Sequence, residues 1–110
     1  MGWRSNRWPA YRPRPRVARL SVADLDRVHA SASRFVARSA VLAEIGADVQ
    51  LARGRVYFWR GEGDLMARVT PLSRQTLLLE APRGNGWVEH KQGSTRAVLA
   101  ALERDIYGTF

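Results

Sequence analysis

The sequence has no cysteine, a single lysine at Lys91, and no run approaching the ~20 apolar residues that a bilayer-spanning helix needs. Without cysteine there is no disulfide, no thiol nucleophile and no thiolate metal site, so a soluble protein of the reducing cytoplasm is expected. The two histidines, His29 and His90, are too far apart for a short-spaced zinc motif, and no metal or cofactor is expected. Acidic residues are missing from positions 1–20. That stretch holds Arg4, Arg7, Arg12, Arg14, Arg16 and Arg19, so six of the eight net positive charges lie there and residues 21–110 carry only +2.

Trp3, Trp8 and Tyr11 alternate with those arginines, while Pro9, Pro13 and Pro15 remove backbone donors and favour extended, polyproline-type chain. Residues 1–20 therefore read as an extended basic arm. It lacks the apolar centre of a secretory signal, and its prolines spoil the amphipathic helix of a mitochondrial presequence. Asn6 stands where a myristoylation motif requires Ser or Thr.

Residues 21–110 read as one α+β domain. Ser21 and Asp24 mark a helix start, and Val22, Leu25, Val28, Ala32, Phe35, Val36, Leu42 and Ala43 recur on one face. The spacing predicts a long N-terminal helix over 22–45, stopped at Gly46. From Asp48 the apolar period changes to two, and turn residues recur at short intervals. Strands over 49–52, 55–60, 65–70, 76–81 and 87–91 give a four- to five-stranded antiparallel meander. Ser94 or Thr95 then caps a C-terminal helix carrying Val98, Leu99, Leu102 and Ile106.

Two helices on one face of such a sheet make a two-layer sandwich with the other face open. Strand alternation turns Val56, Phe58, Leu65, Ala67, Val69, Leu77, Leu79 and Val88 toward the helices, and a core of Leu25, Phe35, Phe58, Val69, Leu79, Leu99 and Leu102 is expected. Arg55, Tyr57, Trp59, Met66, Arg68, Thr70, Leu78, Glu80, Trp87, Glu89 and Lys91 fall on the open face. Three large aromatics among Arg55, Arg68 and Lys91 do not make an ordinary solvent face.

The triplet Glu89-His90-Lys91, with Asp64 and Glu44 elsewhere, resembles the Asp…Glu-x-Lys arrangement of restriction-endonuclease-like nucleases, in which carboxylates hold Mg²⁺ and the lysine positions a water. An extra strand intervenes and no Pro-Asp pair precedes it, so a cross-strand charge pair is the preferred reading and metal-dependent cleavage a minor alternative. The order helix, meander, helix ending in Gly93-Ser94-Thr95-Arg96-Ala97 resembles the double-stranded-RNA-binding domain. That family places a lysine cluster at the start of its last helix, where only Arg96 is basic here, and no family is assigned.

The expected function is that of a small non-catalytic nucleic-acid-binding protein, DNA or RNA. Trp3, Arg4, Arg7, Trp8, Arg12, Arg14 and Arg16 of the arm would act together with Arg55, Tyr57, Trp59, Arg68 and Lys91 of the open face, because guanidinium groups pair with phosphates and aromatic rings stack on bases. The alternative is a protein-interaction module, an assembly subunit or a phage- or plasmid-type inhibitor, whose arm docks on an acidic protein surface. A homodimer through the sheet face would use the same aromatics. No contact with a membrane is expected.

Overall fold

The computed structural model describes residues 17–61, 63–108 and 110, so the expected arm lies outside the described residues up to position 16. Helix α1 runs over Val22–Arg38 and starts where Ser21 Oγ accepts a hydrogen bond from the Asp24 amide at 3.1 Å. Val28, Ala32 and Val36, spaced by four, form its buried stripe. The single helix expected over 22–45 is instead two, because α1 stops before Ser39 and a short α2 occupies Ala40–Glu44. Ser39 makes the break. Its backbone is extended, its hydroxyl accepts from the Leu42 amide at 3.1 Å, and the same hydroxyl donates to Glu103 Oε2 at 2.5 Å. A serine thereby exchanges helix continuity for a cap and a bond to the last helix. Val22 and Ala43 are exposed rather than buried, and Leu25 is half-buried outside the core.

Five strands follow: β1 (Asp48–Ala52), β2 (Arg55–Arg60), β3 (Asp64–Pro71), β4 (Leu77–Arg83) and β5 (Gly86–Gly93). They pair antiparallel in sequence order as one open sheet. The β1–β2 turn is Arg53-Gly54 with φ of 53° and 76°, a two-residue turn with both residues left-handed, whose twist matches that of the strands. Helix α3 (Thr95–Arg104) is capped by Ser94, whose Oγ accepts from the Ala97 amide at 3.2 Å. No helix among the described residues is long and apolar enough to cross a membrane.

Helices α1 and α3 lie on one face of the sheet, and the core beneath them joins Val28, Ala32 and Val36 to Val56, Phe58, Val69, Leu77 and Leu79 and to Val98, Leu99 and Leu102. The two-layer α+β architecture is as the apolar periods require. Of the expected core, Phe58, Val69, Leu79, Leu99 and Leu102 are buried, and Phe35 packs at the margin.

Two bulges alter the faces. In β3, Phe58 pairs with Ala67 but Trp59 pairs with Leu65, leaving Met66 as the extra residue. A bulge shifts the alternation by one. Met66 joins the core at 4% exposure and Leu65 is opposite Trp59 on the open face, the reverse of the regular alternation. In β5, Leu79 pairs with Lys91 and Glu80 with Glu89, so His90 is the extra residue. Lys91 is thus in register with the buried, helix-facing Leu79 and does not belong to the open face, contrary to expectation. Val88, in register with buried Ala81, is itself exposed.

Candidate functional site

The open face is built from alternate residues of all five strands. The registers align Gln50, Tyr57, Arg68, Glu80 and Glu89 across it, with Trp59 and Leu65 in one flanking row. Of the residues expected to bind, Arg55, Tyr57, Trp59 and Arg68 come together here, and Lys91 does not. Trp3, Arg4, Arg7, Trp8, Arg12, Arg14 and Arg16 lie outside the described residues.

The middle of this face is a closed polar network. Arg68 donates from Nε to Glu80 Oε1 at 2.8 Å and from Nη2 to Oε2 at 3.3 Å, a two-pronged pairing that leaves both side chains less than one-fifth exposed. Thr70 Oγ1 donates to the same Glu80 Oε1 at 2.6 Å and accepts from Arg55 Nε at 2.9 Å. Glu80 is therefore satisfied by three donors, which is what its burial requires. The Arg68 guanidinium also lies 4.3 Å from the centroid of the Trp87 ring, and Tyr57 meets Trp87 edge-on at 6.2 Å. Trp87 thus reaches inward from the outer strand to cover a paired arginine. These contacts make Arg68 and Trp87 a rigid floor rather than free recognition groups.

The accessible part lies toward β1. A groove of about 270 Å³ is lined by Gln50, Ala52, Arg53, Tyr57, Trp59 and Leu65, and Trp59 Nε1 donates to Gln50 Oε1 at 3.0 Å, which fixes the indole along one wall. Among the described residues, neither Arg53 nor Arg55 forms a salt bridge. The groove therefore combines two ring surfaces with one lining cation, Arg53, while Arg55 lies next to it, in register with Ala52. Sequence reasoning missed Gln50, Ala52, Arg53 and Leu65. Gln50 and Ala52 were legible as alternate residues of a strand and Arg53 as part of the Arg-Gly turn that ends it, whereas Leu65 depends on the bulge.

The chain enters the domain at the same end. The Ala18 amide donates to the Pro71 carbonyl at 2.9 Å, one residue beyond Thr70, to which Arg55 is bonded.

Glu89, His90 and Lys91 are dispersed. Glu89 is in register with Glu80 on the open face, while His90 Nε2 lies 2.7 Å from Asp105 Oδ2 beyond α3, and its ring meets Phe110 edge-on. The Arg104 guanidinium, and then His90, hold the Asp105 carboxyl down at about 2. The bulge separates Glu89 from Lys91, which an unbroken strand would have placed on one face. Among the described residues no group of three or more His, Asp or Glu is placed to hold a metal ion.

A second cavity, of about 230 Å³, is lined by Arg60, Asp64, Leu65, Met66, Pro82 and Phe110. Arg60 Nη2 donates to the Phe110 carbonyl at 2.6 Å, which occupies the cation most available there. No family model, no curated protein and no solved structure matches this chain.

Proposed function

We propose that the protein is a small, non-catalytic, cytoplasmic nucleic-acid-binding protein in which single-stranded chain lies in the groove beside β1. The observation that carries this reading is that the Arg/Trp-rich N-terminal segment joins the domain beside Pro71, next to Thr70 and the Arg55 bonded to it, toward the end of the sheet where Arg53 lines the aromatic groove. Sixteen residues can span at most roughly 55 Å, far more than the length of a strand, so arm and groove can engage one ligand. Bases stack on Tyr57 and Trp59, phosphates pair with Arg53, Arg55 and the arm, and Arg68 and Trp87 act as the support beneath.

Titration of a labelled single-stranded oligonucleotide by fluorescence anisotropy at low salt tests this. The parent should bind, and Trp59→Ala with Tyr57→Ala should lose on the order of 1 to 3 kcal/mol per stacked base. Absence of binding to single-stranded and duplex DNA and RNA alike contradicts the reading.

One observation favours a second reading. On the open face Arg53, Arg55 and Arg68 are balanced by Asp48, Glu80 and Glu89, so net positive charge resides in the arm. An arm that docks alone on an acidic protein surface, with the domain as a module of assembly or inhibition, fits that balance.

A further inference from the structure

We propose that a second copy of this chain pairs with the free edge of β1, joining two five-stranded sheets into one ten-stranded sheet. The sheet has two edges, and they differ in how they are defended. The β5 edge is bulged at His90 and carries Lys91, both of which discourage further pairing. The β1 edge, Asp48–Ala52, has unbroken register with β2 and contains neither proline nor lysine.

The phase of β1 shows which groups it offers. A two-residue turn at Arg53-Gly54 makes Ala52 and Arg55 a mutually hydrogen-bonded pair, and the alternation of an antiparallel ladder then directs the N–H and C=O groups of Val49 and Leu51 away from β2. The Val49 amide donates to Asp48 Oδ1 at 2.9 Å, which agrees with that direction, and pairing exchanges this bond for one to the second copy.

Antiparallel pairing of two such edges must match helix-side residues with helix-side residues. One register does this for the whole strand, with Gln50 facing Gln50 of the other copy across a two-fold axis. Val49 and Leu51 of the other copy are then a mutually hydrogen-bonded pair, formed twice. These two residues, with Phe35, Ile45 and Ala47, are core-packing apolar side chains left only partly buried. A second copy covers them with its own. Asp48 of one copy also falls beside Ala52 and Arg53 of the other, so opposite charges meet at both ends of the seam.

Gln50 is exposed and faces itself, so charge at this position tests the pairing. By sedimentation over a dilution series, the parent should show a dimer of twice 12.4 kDa. Gln50→Lys and Gln50→Glu should each weaken self-association by about tenfold or more, and mixing the two should restore it. Exchange of the Leu51 amide, read on the parent alone, should slow as concentration rises. A parent that is monomeric throughout overturns the proposal, as does a dimer insensitive to both charges, or a Leu51 amide whose exchange does not depend on concentration. None of these outcomes depends on nucleic-acid binding, which is measured separately.

Discussion

Arg68 and Glu80 face each other across β3 and β4, and their two hydrogen bonds convert an apparent cationic recognition group into part of the framework. Glu80→Gln keeps the shape but removes the charge that Arg68 and Thr70 both use. Because the pair is largely withdrawn from water, the variant should lose about 2 to 3 kcal/mol in denaturant unfolding. Loss below about half a kcal/mol would show that the network does not hold the face together.

The bulge in β3 gives two adjacent residues opposite fates. Met66→Ala should cost about 2 to 4 kcal/mol, since Met66 is 4% exposed within the core. Leu65→Ala should cost less and instead widen the groove beside Trp59. Thermal or denaturant melts of the two variants check this, and the reverse ranking would restore an unbroken strand.

Asp105 ties the end of α3 to β5. Its folded-state carboxyl titrates at about 2, below the ordinary 3.8, through its bonds to Arg104 and His90. A depressed acid contributes stability above its unfolded pKa and loses it as pH falls through the folded value. Asp105→Asn should therefore melt below the parent at neutral pH, and the difference should shrink between pH of about 4 and about 2. A difference independent of pH would mean that the residue acts through packing alone.

The elements and their order were legible because each rests on a local signal: Ser21 and Ser94 as caps, Arg53-Gly54 as a turn, and alternation within each strand. What escaped depends on partners distant in sequence. Ser39 reads as neutral inside an apolar helical run, and its role as a break comes from Glu103, 64 residues away. The bulges at Met66 and His90 carry no composition signal, since the period-two pattern is intact on both sides of each. One extra residue in each of two strands was enough to exchange Leu65 for Met66 and to move Lys91 off the face. The groove was half legible for the same reason: Tyr57 and Trp59 follow from alternation, whereas the pairing of Arg68 with Glu80 required the register of two strands.

The most direct measurement is the salt dependence of oligonucleotide affinity for the full chain and for a chain starting at Val17, which retains every helix and strand of the described residues. The deletion removes Arg4, Arg7, Arg12, Arg14 and Arg16 but leaves Arg53, Arg55, Tyr57 and Trp59. For duplex DNA each arginine–phosphate pairing that the deletion abolishes lowers the slope of log affinity against log salt by about 0.9, so the slope should fall by up to roughly 4.5. Residual single-stranded binding should persist and remain sensitive to Trp59→Ala. Equal affinity and equal slope for the two chains would contradict a nucleic-acid role for the arm.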